Sequence, residues 1–468
     1  KYEMPGFAVG VIKNGEVIFM ESYGNKNNDV SGKVDENTLF GIASCSKAFT
    51  SAAISILVEQ GKLSWKDKVV DHYPGFKLFD PYITAELTIE DLLSHRSGFE
   101  TFDGDLIWYG NDRTTEEVVA RMQYRENPFG LREKFGYSNL MFITAGEVIK
   151  HTSGLSWPEF IDKYIFDAID MPTSNATNDG FENNADAAWP HIDGQAMEFI
   201  NYDNIGAAGA INSSISEMMQ WAFLMLNKGK IGDSIIFSER NYYKMVTQHT
   251  MLNAGRAETI GGTHFAGYGL GWFLKDYKGK KIIYHGGGLP GFHSKVVVIP
   301  EDSLAYVILA NQLSGLVPAI DRKIMELHLN PTDTTNWAEL YLESEKKQKQ
   351  RLEEKWVKLE SERIKDTKMS IADSSYCGIY EDKMYGKAEI SLDEGELKIV
   401  LLPTAKLFTS NMEHWHYNTF KIEFTDPFLP PGFVIFDIDV KGELSGFSMD
   451  MDAPDFHFNK LDFKRVEN

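Results

Sequence analysis

Strand-like runs stand at both ends of the first 330 residues of this chain, and helical spacing fills the stretch between them. Phe7 to Lys13 and Glu16 to Tyr23 flank Asn14-Gly15. Asn-Gly between two such runs is a strong hairpin signal, because both residues accept the positive φ that a tight turn requires. Strands return after Tyr268: Gly269 to Phe273, Lys281 to Tyr284, Lys295 to Ile299 and Ala305 to Ala310 are short runs separated by turns. Between the two strand regions, Ala48 to Leu57, Ile89 to Leu93, Ala145 to Ile149 and Ser216 to Asn227 carry helical spacing. Met218, Met219, Ala222 and Leu226 of the last run are expected in the core, the methionines as packing. This order predicts one antiparallel sheet built from both ends of the region. Helices would cover it and form a separate helical lobe, an α+β arrangement.

Asn336 to Lys368 differs in character. Helix formers dominate from Trp337 through the charged run Lys346 to Gln350 and on to Glu362, and glycine and proline are absent. That pattern predicts a solvated helix joining two domains. After Ser370 come short alternating runs: Ala388 to Leu392, Glu396 to Val400, Phe420 to Phe424, Phe433 to Phe436 and Phe456 to Phe458. They predict a small all-β barrel or sandwich. The expected division is a first domain over 1–330, a charged helical linker over 331–369 and a β-domain over 370–468.

Composition narrows the partners. Of 468 residues, 43% are hydrophobic and 13% aromatic, enough for full cores and too apolar for a disordered chain. The formal net charge is -21 with pI near 5.0, which argues against nucleic acid and anionic membranes, whose phosphates repel such a surface. No apolar run reaches the ~20 residues that a membrane-spanning helix needs. Cys45 and Cys377 are the two cysteines, far apart, and suggest no disulfide framework. The sequence opens at Lys1, and Met4-Pro5-Gly6 already leads into a strand. A processed or trimmed chain is therefore expected, periplasmic or secreted after removal of a signal peptide.

Three segments carry candidate chemistry. Ser44-Cys45-Ser46-Lys47 lies between the strand-like Thr38 to Ile42 and the apolar stretch from Ala48. Ser44 would open a helix ending near Gly61, with Lys47 one turn later on the same face. A serine hydroxyl is a weak nucleophile until a base takes its proton, and a lysine whose pKa is lowered by burial helps with that. Taken alone, the four residues also fit an N-cap serine and a solvated lysine. The second segment is Gly136-Tyr137-Ser138-Asn139, ahead of the helical run Leu140 to Ile149. A tyrosine beside a lysine ammonium ionises below its free pKa of ~10 and can act as a base. It also fits a half-buried tyrosine bonded locally. The third segment runs from Tyr284-His285 through Gly286-Gly287-Gly288 to Gly291, between two strand candidates. Glycines there let a ligand approach the backbone. A free N–H would complete an oxyanion hole with the N–H of Ser44, each donor being worth roughly 100 to 1000-fold in rate. A glycine-rich hairpin turn with an incidental histidine is the alternative. No His-Glu-x-x-His is present, and His414 and His416, which would share a strand face, read as solvated. There is no Gly-x-Ser-x-Gly elbow, Walker A loop or dinucleotide fingerprint. No metal or cofactor is expected.

In order, Ser-x-x-Lys, Tyr-x-Asn and His-x-Gly resemble the serine β-lactamase and penicillin-binding protein superfamily. The branch that looks most similar holds class C β-lactamases, D-alanyl-D-alanine carboxypeptidases, D-amino-acid peptidases and related esterases. Leu92 to Gly98, Ala208 to Ser214 and Tyr268 to Trp272 match that branch as context. The resemblance covers roughly residues 1–330 and implies a β-lactamase-like fold. It implies Ser44 as the acylated nucleophile, Lys47 as its proton partner, Tyr137 as general base and acid, and Asn139 as a substrate amide contact. His285, Gly287 and Gly288 would line the substrate, with Gly288 as second oxyanion donor. The family's N-terminal helix ahead of the first hairpin is largely absent here.

His285-Gly286-Gly287 departs from the lysine and hydroxyl with which β-lactamases hold the substrate carboxylate, since histidine is only partly charged at neutral pH. The resemblance therefore favours a peptidase or carboxylesterase acting on a small peptide, amide or ester. A β-lactamase and a non-catalytic penicillin-binding-like sensor are the alternatives. The β-domain, from Tyr376 to Tyr380 onward, resembles the lipocalin-like barrel appended to some of these peptidases. In such relatives the barrel supports homo-oligomers and covers the active site. Substrate-pocket walls are expected from Phe102 to Asp112 and Gly180 to Tyr202.

Overall fold

The computed structural model describes residues 2–255, 259 and 262–466. They form two compact units. One holds the chain up to Phe76, then Pro81–Glu100 and Asn127–Lys346; the other holds Lys77–Asp80, Thr101–Glu126 and the chain from Lys347 onward.

The first unit is built on an eight-stranded antiparallel sheet. Its strands are β1 (Gly6–Lys13), β2 (Glu16–Gly24), β3 (Thr250–Leu252), β4 (Ala266–Tyr268), β5 (Phe273–Tyr277), β6 (Lys280–Leu289), β7 (Phe292–Ile299) and β8 (Leu304–Ala310), in the order β2-β1-β8-β7-β6-β5-β4-β3. Asn14 and Gly15 make the first hairpin turn with φ of 52° and 82°. β1 then pairs with β8, so the two ends of the region do meet in one sheet. Helices α1 (Ser46–Glu59), α2 (Asn139–Ser153) and α3 (Ile215–Leu226) pack together or against one face. Helix α4 (Leu316–Leu329) covers the other, where Val317 and Met325 join a core with Val9, Val11, Ile282 and Tyr306. Every residue of α1 from Ser46 to Leu57 is buried. In α3, Met218, Met219 and Ala222 are buried, while Leu226 is half-buried and Leu224 and Met225 take the deeper positions.

Two strand expectations change. Gly269 to Phe273 is not one strand: β4 ends at Tyr268, and Gly269 N donates to Trp272 O at 2.7 Å to close a turn before β5. Gly271 there has φ 75°, and a Cβ on it would lie 2.7 Å from the carbonyl oxygen of Lys47, so the turn presses against α1. Gly286-Gly287-Gly288 is not a turn either; it lies inside β6, and the turn falls at Pro290-Gly291.

A buried carboxylate ties the loop ahead of α2 to the short helix Ile89–Leu93. Asp91 is fully buried and accepts from Arg96 Nε at 2.5 Å, Arg132 Nη2 at 2.7 Å and Thr88 Oγ1 at 2.7 Å. Burial pushes its carboxyl up, but Arg132, Thr88 and Arg96 outweigh that and hold it below the usual value. Arg132 N also donates to Arg96 O at 2.8 Å.

In the second unit, eight strands from Gly378–Asp382 to Phe463–Arg465 close into an antiparallel barrel. Tyr380, Ile399, Phe420, Phe436, Phe447 and Phe463 are among its buried residues. Thr101–Glu126 belongs to this unit. Tyr109 donates its hydroxyl to Asp426 Oδ2 at 2.8 Å, and Arg113 donates to the Tyr385 carbonyl. Phe456 to Phe458 is not a strand: Phe458 N bonds Phe456 O at 2.9 Å, and a short 3-10 turn, Phe458–Lys460, follows. Tight turns bury both rings as well as a strand would. The charged segment forms α5 (Trp337–Glu362), with no buried residue. No described helix is long and apolar enough to cross a membrane.

The Asp91 clamp yields a prediction. Asp91→Ala leaves Arg132 without its carboxylate and Arg96 with Glu90 alone, and should cost about 2 kcal/mol at pH 7 in urea unfolding. Because the folded pKa is depressed, the wild-type advantage should shrink as pH falls through the acid range. A loss under about 0.5 kcal/mol would show the clamp to be dispensable.

Candidate active site

The site begins with a strained turn. Ser44 sits in a single 3-10 turn, Ala43–Cys45, and α1 starts at Ser46. Ala43 has φ 49°, a left-handed conformation that costs a non-glycine residue about 1–2 kcal/mol. The turn is held from several sides. Ile42 N donates to Ile211 O at 2.9 Å, Ser294 Oγ donates to Ile42 O at 2.6 Å, and Ile211 N donates to Ser46 Oγ at 3.1 Å. Ser44 itself is half-buried.

Lys47 lies one turn further on and is fully buried. Its Nζ is 3.0 Å from Ser44 Oγ, 2.6 Å from Asn139 Oδ1 and 2.8 Å from the Ala208 carbonyl oxygen. Asn139 is the first residue of α2. Its side-chain oxygen accepts from Lys47. The Tyr137 ring is 8% exposed, with its centroid 4.8 Å from the same Nζ.

β6 passes directly against the nucleophile turn. A Cβ on Gly287 would lie 2.3 Å from Ile42 O and 2.9 Å from Ala43 Cβ, so only glycine fits. Gly287 thus serves close backbone approach, while Gly288 is the exposed residue beside it. β5 pairs with β6 only as far as Tyr284, so one backbone edge from His285 onward has no strand along it among the described residues. Cys45 Sγ donates to His285 O at 3.5 Å, and burial pushes this thiol up to about 11. Cys45 and Cys377 are both free.

His285 corrects an expectation. It is 1% exposed, and burial, followed by the positive charge of Lys47, lowers its pKa to about 3. Nδ1 lies 2.7 Å from the Gly286 carbonyl, which can only accept, so Nδ1 carries the hydrogen. Nε2 then accepts from the Tyr268 hydroxyl at 3.0 Å. His285 is therefore a neutral internal strut, not a partly charged cation facing substrate.

His95 is a residue that sequence reasoning passed over. Its carbonyl accepts from Gly136 N at 2.9 Å, and its Nδ1 accepts from Ser138 N at 3.1 Å. These bonds grip the peptide on both sides of Tyr137. The His95 ring lies 4.3 Å from the Tyr137 ring and 4.5 Å from that of Tyr268. Burial, then the charge of Lys47, pushes its pKa well down. The signal was Leu92 to Gly98, legible only as context, because nothing in the sequence says which loop a buried histidine will hold.

Phe181, Phe199, Ile200 and Tyr202, from the expected wall segment, line a narrow pocket with Leu289 and Phe292. Phe102 to Asp112 falls in the unit with the barrel. Among the described residues no group of three histidine, cysteine or acidic side chains could hold a metal. His414 bonds Tyr417 O at 2.9 Å, and the strand register shifts between His414 and His416.

Residues 362–465 match a domain of unknown function, DUF3471. An unguisins hydrolase, ungD, from Aspergillus violaceofuscus is 28% identical over 334 residues, 66% of this chain and 59% of that protein. Protein flp from Staphylococcus aureus (strain MW2) is 27% identical over 339 residues, 70% of this chain and 63% of that protein. The chain thus spans about three fifths of the length of these curated relatives. Among solved structures, the octameric penicillin-binding protein homologue from Pyrococcus abyssi is similar with TM-score 0.62 at 22% identity, covering 98% of this chain and 96% of that one. A penicillin-binding protein from Bacillus halodurans has TM-score 0.57 at 24% identity, covering 68% and 96%. These two likenesses concern the fold. Residues 1–329 match the family described as Beta-lactamase, and with most of its length so matched the chain belongs to that family of serine hydrolases.

Proposed function

We propose that this protein hydrolyses small peptides, amides or carboxylic esters through an acyl-enzyme on Ser44. The observation that carries this reading is the fully buried Lys47, whose Nζ lies 3.0 Å from Oγ of the half-buried Ser44. Asn139 Oδ1 and the Ala208 carbonyl also accept from that nitrogen, which fits an ammonium. An ammonium donating to Ser44 Oγ cannot also take the serine proton. Tyr137, whose ring lies beside the same ammonium, is assigned that role, because the positive charge favours its phenolate. Ser44 Oγ attacks the carbonyl carbon as its proton passes to Tyr137. The carbonyl oxygen becomes an oxyanion, with the N–H groups of Ser44 and Gly288 as its assigned donors. Tyr137 returns the proton to the leaving nitrogen or oxygen. Water then repeats the sequence and frees the acid.

His285 supports peptides or esters over β-lactams. A β-lactam presents a carboxylate that needs a cation and a hydroxyl beside the oxyanion strand. Here the imidazole is neutral with both nitrogens bonded internally, and residue 286 is glycine. A relative named for hydrolysing unguisins is in keeping with this reading.

Three measurements test it. A fluorophosphonate should leave one adduct, on Ser44, in peptide mass spectrometry. Ser44→Ala should lose the adduct and about a thousandfold or more in p-nitrophenyl ester turnover; wild-type turnover would end the proposal. His95→Phe, which removes the imidazole half of the grip on Tyr137, should lower kcat roughly 10 to 100-fold at little change in KM, with partial recovery in His95→Asn, which can still accept from Ser138 N. A rise in KM alone would assign His95 elsewhere. Finally, His285 has a folded pKa of about 3, below the ~6.5 of an unfolded histidine, so the unfolded state binds more protons between those values. Its stabilising contribution is complete above pH ~6.5 and is lost as pH falls toward 3, by up to ~1.4 kcal/mol per pH unit. Urea unfolding at pH 7.5 and 5.0 should show this loss and a smaller one in His285→Gln. An equal loss would refute the assignment.

A further inference from the structure

β6 parts from β5 where the chemistry begins. The ladder between them ends at the pair Phe273–Tyr284, whereas β7 stays beside β6 to Leu289. From His285 to Gly288 the strand is thus held by another strand along one edge only, among the described residues. Three hydrogen bonds at His285 steady it further. Cys45 Sγ donates to the His285 carbonyl at 3.5 Å, His285 Nδ1 donates to the Gly286 carbonyl at 2.7 Å, and the Tyr268 hydroxyl donates to His285 Nε2 at 3.0 Å. A thiol is a weak donor, and the second bond stays within β6. Of the three, the Tyr268 hydroxyl is the strong donor that reaches β6 from another strand.

Tyr268 is itself firmly placed. It is fully buried, pairs with Thr250 of β3 and Phe273 of β5, and its carbonyl accepts from His249 N at 2.9 Å. Its ring packs on that of His95 at 4.5 Å and stands perpendicular to that of Tyr137 at 6.5 Å. Its hydroxyl also selects the histidine tautomer. Nε2 accepts only while the ring hydrogen is on Nδ1, where it meets the Gly286 carbonyl. Without the hydroxyl, Nε2 becomes a buried acceptor with no donor, and the other tautomer sets the Nδ1 lone pair against the Gly286 oxygen. Either outcome pushes on the backbone of β6 two residues before Gly288.

We propose that Tyr268 is a positioning residue for the acyl transfer, an inference that rests on the acyl-enzyme reading above. Through His285 it fixes the stretch of β6 that ends in Gly288 against Ser44 and Tyr137, so that the oxyanion donor is in place before substrate arrives. Such a donor acts only where charge develops, and a misplacement of about 1 Å costs about 100-fold in rate. Tyr268 touches no reacting atom; it works by way of the imidazole.

Turnover of p-nitrophenyl acetate and the rate of Ser44 labelling by a fluorophosphonate test this on the full chain, with urea unfolding to check that each variant folds. Tyr268→Phe, which keeps the ring and removes the hydroxyl, should lower kcat roughly 10 to 100-fold with KM within about threefold, and slow the labelling in parallel. His285→Asn keeps a donor for the Gly286 carbonyl, but its amide is too short to meet Tyr268. In that background Tyr268→Phe should cost less than about threefold more. His285→Gln, whose amide reaches the place of Nε2, should retain most of the Tyr268→Phe loss. Wild-type rates in Tyr268→Phe, or the same loss in the His285→Asn background, would make Tyr268 a packing residue and overturn this inference alone. No turnover and no adduct on Ser44 in the wild type would overturn the hydrolase reading and this inference with it.

Discussion

The buried ammonium of Lys47 is the constraint on which the site depends. Taking such a charge out of water costs several kcal/mol, and hydrogen bonds to a charged group return about 1.5–3 kcal/mol each. The acceptors come from three separate stretches: the turn before α1, the first residue of α2 and the short helix Gly206–Gly209 that holds Ala208. Those stretches have to converge on one nitrogen. Ser44 Oγ is thus placed by the electrostatic need of its neighbour as much as by its own turn.

Around that centre the structure is stiff and mostly neutral. The left-handed Ala43 is a strained residue that persists because β6 presses on the turn through Gly287, and Ser294 and Ile211 fix Ile42. His95 and His285 stay neutral beside Lys47 for the same reason that Lys47 needs so many acceptors: burial disfavours a second positive charge. Tyr268 joins the two, packing on the His95 ring and donating its hydroxyl to His285. The loop that carries Tyr137 and the strand that carries Gly288 are in this way linked through one aromatic cluster.

Much of the fold was legible in local pattern. Asn14-Gly15 specified a turn whose φ values the structure shows, and the helical spacing of Ser216 to Asn227 and the charged run to Glu362 became helices. The misreadings have one physical character. Gly269 to Phe273 looked like a strand because Trp272 and Phe273 are strand formers, yet Gly271 takes a positive φ where the chain presses against α1. Gly286 to Gly288 looked like a turn because glycine is common there, yet strand partners in β7 and the crowding at Ile42 place it inside β6. Phe456 and Phe458 alternate like a strand, but successive turns bury the same rings. In each case a neighbour distant in sequence decided between two local conformations that the residues allow.

What the sequence by itself determined was the inventory of the site: a serine one helical turn from a lysine, a tyrosine ahead of a second helix, and glycines beside a histidine. Helical periodicity makes the first pair neighbours whatever else the chain does. What only the tertiary structure decided was the state of those groups. Protonation and hydrogen-bond direction depend on burial and on charges brought near by folding, so the same His285 that reads as a partial cation becomes a neutral strut once Lys47 lies close and water is gone. His95 gained its place beside Tyr137 by the same route, because packing, and not sequence distance, set which peptide its ring would meet.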